Sequence, residues 1–232
     1  MPSKWVPLEA SPDVFNEWAQ SLGLPEHPLS FQDLFSLDSD FLSYIPLPVK
    51  AVLLLFPSRG ELHAAREKEE AEAPEWDGKD VWWIKQTIPN ACGSIGLLHA
   101  LMNLPDGALK EDSPLMKFKK ESLKLEPSAR AKLLDEADFF EAAHISAAQH
   151  GQSAVPEDLD VDTHFIAFIE GINGKGEKRV VELDGGRKGP FDRGDCTSLL
   201  HDVADIVRDK YIARAGGDIN FNMIVLAGER QD

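Results

Sequence analysis

The sequence predicts an α/β fold of the α+β kind, built on a largely antiparallel sheet. Three observations carry that expectation. A continuous apolar run, "AVLLLFP" from Ala51 to Pro57, is too short for an ordinary helix and stops at a proline, so it reads as a strand buried on both faces. Two further runs, "HFIAFIEG" and "VVELDGG", flank the Gly/Lys-rich turn "INGKGEKR" and read as a hairpin. Between the first run and the hairpin the apolar residues recur at helical spacing, so a helical block interrupts the strands.

Near the start, Ser11 and Pro12 form a cap and first turn for an amphipathic helix over residues 12–22, with Val14, Phe15, Trp18 and Leu22 on one face and Gly23 as the stop. After the buried strand, the acidic stretch Glu67 to Asp80, with Pro74 and Gly78, reads as a solvated helix end and loop. A helix begins at Cys92 and runs to Asn103. "DSPLMKFKKESLKL" and "EPSARAKLLDEADFFEAA" each carry a Ser or Pro start signal and helical spacing. From about Ala142 to Asp162 the pattern dissolves into small and polar residues with Gly151 and Pro156. A structureless stretch of about 20 residues is uncommon in a compact domain and is read here as a lid or binding loop. After the hairpin come a helix from Thr197 to Ala213 and a closing strand from Phe221 to Ala227. With no internal repeat and no low-complexity tract, residues 1–232 are expected to form one domain.

Charge and cysteine count narrow the function classes. The chain carries 40 acidic against 24 basic residues, a net charge of -16, which repels nucleic acid and anionic membrane and draws in a basic protein partner. No apolar stretch approaches the roughly 18 residues a bilayer span needs. Two cysteines far apart, Cys92 and Cys196, make neither a disulfide framework nor a paired zinc motif. The expectation is a monomer in a reducing compartment, cytoplasmic with the nucleus also open to it, with no metal and no organic cofactor.

Cys92 lies at the first turn of its helix, where unpaired N–H groups and the helix dipole favour the thiolate. A small buried hydrophobe is the commoner state of such a cysteine, so a nucleophile needs company: a base, a group to orient it, and a donor for the developing oxyanion. His164 opens the first strand of the hairpin, and Asp184 ends the second, so the two can meet across it. Gln86, six residues before Cys92 and near the end of the preceding strand, is an amide donor for the same pocket.

Taken together, "QTIPNACGSIGLLHAL" resembles the active-site signature of the ubiquitin carboxyl-terminal hydrolases, a family of papain-like cysteine peptidases. "DTHFIAFI" and "ELDGGRKGP" resemble that family's histidine and aspartate motifs, and the likeness runs in order from "KWVPLEASPDVFNEWAQSLGL" to "INFNMIVLA". The resemblance implies Cys92 as nucleophile, His164 as general base and then acid, Asp184 as orienting carboxylate, and Gln86 with the backbone N–H of Cys92 as oxyanion hole. It implies a sheet between helical layers with a knotted backbone, and a crossover loop at about 142–162 that limits the leaving group. It also implies hydrolysis of ester, thioester, amide or peptide bonds at the C-terminal glycine of ubiquitin, with Pro7, Leu8, Glu9, Asp13, Asp33 and Asp218 as contacts. A hydrolase of a ubiquitin-like modifier and a catalytically silent ubiquitin-binding protein are the alternatives. Two departures stand out: a longer turn, "GINGKGEKR", and an extra glycine in "LDGGR" where the family has "LDGR".

Overall fold

The run at Ala51 does form a strand, β2 (Val49–Pro57), and its residues divide by alternation between two cores. Ala51 and Leu53 face one side, Val52, Leu54 and Phe56 the other, as the two-residue period of a strand requires. In the computed structural model, which describes residues 5–78, 80–151, 159 and 161–229, β2 lies inside a six-stranded antiparallel sheet. The other strands are β1 (Leu29–Asp33), β3 (Thr163–Ile172), β4 (Lys178–Leu183), β5 (Phe191–Asp195) and β6 (Asn222–Gly228), in the order β1-β6-β2-β3-β4-β5.

Helices cover both faces. One face carries α1 (Pro12–Leu22), α4 (Cys92–Met102), α5 (Pro114–Ser122), α6 (Pro127–Asp135) and α7 (Asp138–His150); the other carries α2 (Ser39–Leu42), α3 (Gly60–Glu72) and α8 (Leu199–Ile206). Helix α1 follows its sequence pattern: Phe15 and Trp18 are fully buried, each worth about 1.5–3 kcal/mol. Gly23, at φ 129°, ends it by donating to the carbonyls of Ala19 and Gln20. Every residue of α4 is buried, because that helix is packed between the sheet and the outer helices. A helix with no solvated face holds its first residue, Cys92, in one place.

Four expectations need correction. Residues 142–150 are not loop: they belong to α7, whose alanines have high helix propensity and whose Ala143 and Ala147 are buried in the core that α1 also lines. Of the remainder, residues 152–158 and 160 lie outside the described residues. The block from Glu126 to Ala143 is two helices, since α6 closes at Glu136, whose N–H donates to Lys132 O. Val81 to Gln86 is not a strand, and side chains hold it instead: Trp82 N and O are bracketed by Asn103 Oδ1 and Nδ2 at 2.7 and 2.8 Å. The helix expected over 197–213 begins at Leu199 and continues past Ile206 as a π-helical turn, Val207–Tyr211, which brings Tyr211 into the core.

Candidate active site

The hairpin places two of the expected residues together. Leu183 of β4 pairs with Ala167 of β3, so Asp184, the next residue, falls diagonal to His164 on the same face. Their side chains touch, with His164 Nε2 2.7 Å from Asp184 Oδ1, and the same carboxylate oxygen accepts from Gly186 N at 2.6 Å. Nδ1 of His164 is left for Cys92, whose thiol hydrogen-bonds to the imidazole.

Electrostatics follow from this geometry. Burial pushes the Cys92 thiol up, but the hydrogen bond and charge of His164, with backbone hydrogen bonds at Phe165 and Gly93, more than offset it, so its pKa falls below the ordinary thiol value. Burial works against a charge on His164 as well, yet the charge and hydrogen bond of Asp184 and the contact with Cys92 raise it to about 10. Burial opposes ionisation of Asp184 too, and His164 followed by Arg66 holds it well below the usual carboxylate range. Both shifts favour the charged pair, thiolate and imidazolium, which sets a nucleophile beside a proton donor.

Gln86 stands at the same site on the segment pinned by Asn103. Its backbone N–H donates to Gly185 O at 3.0 Å, and its Nε2 donates to Ile88 O at 3.1 Å, which uses one of the two amide hydrogens. The other is available to a substrate oxygen.

Behind Asp184 lies a buried ionic network that sequence reading missed. Glu182, fully buried, accepts from Arg187 Nε at 2.7 Å, Arg193 Nε at 2.6 Å, Tyr211 Oη at 2.6 Å and Arg66 Nη2 at 3.1 Å. Arg66 Nη2 also donates to Asp184 Oδ2, and its guanidinium lies 4.6 Å from the centre of the Phe56 ring. Three guanidiniums hold Glu182 well below the carboxylate range in spite of its burial. Period-two spacing from Asp184 offered a hint of Glu182. Nothing in "AAREKEE", which reads as a solvated helix, pointed to Arg66.

The expected ubiquitin contacts divide. Asp13 is exposed, and Asp33, whose pKa is raised by burial and then by the charge of Asp13, shares its neighbourhood. Two carboxylates that repel one another favour a cation between them. Pro7 is half-buried and Glu9 lies beside Gly151, whereas Leu8 is in the core against Gly93. Asp218 is already engaged: Arg59 Nη2 is 2.6 Å from its carboxylate and Arg59 Nη1 is 2.8 Å from that of Asp162.

The family model described as ubiquitin carboxyl-terminal hydrolase, family 1, matches residues 5–213. The chain belongs to that family. Relatives of similar length include ubiquitin carboxyl-terminal hydrolase 3 of Arabidopsis thaliana, 36% identical over 97% of this chain and 94% of the relative. Ubiquitin carboxyl-terminal hydrolase isozyme L1 of Sus scrofa is 36% identical over 95% of this chain and 96% of its own. Among solved structures the fold is shared with the UCH37 catalytic domain of Trichinella spiralis, itself bound to ubiquitin vinyl methyl ester, at a TM-score of 0.76 and 22% identity over 98% of this chain and 97% of that one. The family's hydrolases are cysteine-type, and a buried cysteine paired with a charged histidine fits that chemistry.

Proposed function

We propose that this hydrolase cleaves ester, thioester, amide and peptide bonds at the C-terminal glycine of ubiquitin, with Cys92, His164, Asp184 and Gln86 in named roles. The contact chain from Cys92 through His164 to Asp184 carries the reading. The Cys92 thiolate attacks the glycine carbonyl, and the carbonyl oxygen becomes an oxyanion held by Gln86 Nε2 and the Cys92 backbone N–H. As the bond to the leaving group breaks, the His164 imidazolium gives its proton to the departing amine, alcohol or thiol. His164, now neutral, takes a proton from water, which attacks the thioester, and the returning tetrahedral intermediate expels the thiolate. Asp184 keeps the imidazole in one orientation throughout and transfers no proton.

Recognition is electrostatic and apolar together. A basic tail suits the paired carboxylates of Asp13 and Asp33, with Glu9 beside the cleft and Pro7 as an apolar edge. Asp218 joins only by exchanging Arg59 for a cation of the tail. Phe35 and Ile212, both exposed in the groove that Asp33 lines, supply apolar surface for a folded partner. Treatment with C-terminal electrophilic probes of ubiquitin and of ubiquitin-like modifiers, read as a mass shift on Cys92, tests the proposal. A shift with ubiquitin is expected; a shift only with a modifier transfers the activity to that substrate, and no shift with any probe overturns it in favour of a silent binding protein.

A further inference from the structure

Gln86 has no strand partner, and the turn after Asp184 fixes it. Trp83 Nε1 donates to Asp184 O at 3.0 Å and Gln86 N to Gly185 O at 3.0 Å. Lys85 extends its ammonium across the same turn, with Nζ 2.7 Å from Gly186 O and 3.0 Å from Arg187 O. Four successive carbonyls, from Asp184 to Arg187, thus accept from the three residues Trp83, Lys85 and Gln86. Contact is close enough to dictate the residue at 185: a Cβ there would stand 2.7 Å from Gln86 Cβ, 2.9 Å from Ile95 Cγ2 and 3.1 Å from Gln86 N. The glycine is needed for close approach, since the turn and the amide-bearing residue pack backbone to backbone.

We propose that Lys85 is a positioning residue for the oxyanion hole: it clamps the two-glycine turn against Gln86 and so keeps the Gln86 amide aimed at the developing oxyanion. The inference rests on the reading of Gln86 as the oxyanion donor. Two adjacent glycines give this turn more conformational freedom than any other pair of residues would, and a flexible turn cannot locate a donor. An ammonium offers three donors from one centre and bridges two carbonyls, Gly186 O and Arg187 O, with charge-assisted bonds, so it restricts that freedom at the second glycine. The same turn carries Asp184, but that carboxylate has its own supports in Arg66, His164 and Gly186 N. Gln86 is held through Gly185 O and Ile88 O, and the first of these bonds rides on the turn that Lys85 bridges.

A double-mutant cycle on a ubiquitin C-terminal ester separates the possibilities. Lys85→Met keeps the apolar stem and removes the donors; kcat per titratable Cys92 is expected to fall about tenfold with KM within about twofold, and Lys85→Arg to recover most of the loss. Gln86→Ala is expected to lower kcat on the order of a hundredfold. In that background Lys85→Met should change kcat by less than about twofold, because its route of action is gone. The pH profile of Cys92 alkylation should be the same in wild type and Lys85→Met. Persistence of the full Lys85→Met factor in the Gln86→Ala background overturns the proposal, and so does a displaced alkylation profile, which would place the effect on the cysteine and histidine. Loss of kcat in Gln86→Ala without loss in Lys85→Met removes the positioning role alone. An unchanged kcat in Gln86→Ala removes the oxyanion reading and this inference with it.

Discussion

Cys92 shows how little a residue's burial alone decides. It is 7% exposed, and Cys196 is 6% exposed, yet their thiols move in opposite directions. Cys196 is pushed up to about 11, first by burial and then by the charges of Glu170 and Asp202; Cys92, with His164 beside it, goes down. Alkylation by iodoacetamide from about pH 4 to about pH 10 measures this directly. For Cys92 the lowered thiol places the acid limb below the ordinary cysteine value of about 8.5, while the raised imidazole carries the ion pair past the ordinary histidine value of about 6.5. Turnover should share that acid limb and fall again where the imidazolium loses its proton, with limbs that belong to the pair and not to either residue. Cys196 is the internal control and should react only on the alkaline side. A Cys92 rate that rises at the ordinary thiol value would dismiss the ion pair. His164→Ala should abolish turnover nearly as fully as Cys92→Ala, whereas Asp184→Asn should leave measurable activity, because the carboxylate orients and carries no proton.

Strand β4 shows which features were legible at the scale of an element. Its hairpin with β3 was readable, since β-branched and aromatic runs around a Gly/Lys turn leave few other options, and with it came the meeting of His164 and Asp184. The adjoining charges were hidden, because Arg66 looks solvated in its own helix and is buried by partners from β2, β4 and the π turn. Val81 to Gln86 misled for a related reason: its apolar residues pack in the core with α4, and among the described residues no strand pairs with them. The small residues of α7 read as loop because alanine is as suited to a tight helix contact as to a disordered tract. Glu182 in β4 and Asp184 just after it make this end of the strand acid-sensitive. Their folded pKa values are depressed, so the stability they contribute is present above the unfolded carboxylate value of about 4 and is lost as pH falls through the folded values. Urea midpoints across that range should fall steeply for wild type and less steeply for Glu182→Gln. At neutral pH the same substitution removes the carboxylate that Arg187 pairs with, while Arg66 keeps Asp184 and Arg193 keeps Glu69, and should cost about 3–5 kcal/mol. An unchanged neutral midpoint would mean that the network adds nothing to stability.

At the scale of the whole molecule the proposed recognition has the -16 charge act at a distance and Asp13 and Asp33 at contact. Raising ionic strength from about 10 to about 150 mM shortens the Debye length from roughly 30 to roughly 8 Å, so association with ubiquitin should slow while the close contacts persist. Stopped-flow binding should show a faster dissociation for Asp33→Asn and, for the exposed Glu72 and Glu75 neutralised together, only a weaker salt dependence of association. A salt-independent association rate would eliminate steering. The sheet has a temporal consequence too. β6 sits between β1 and β2, so β1 waits for a partner roughly 190 residues downstream in the chain. At about 5–20 residues per second of synthesis, that wait is roughly 10–40 s. A nascent chain lacking Asn222–Gly228 leaves the β6-facing edges of β1 and β2 unpaired, so those edges stay open until β6 leaves the ribosome.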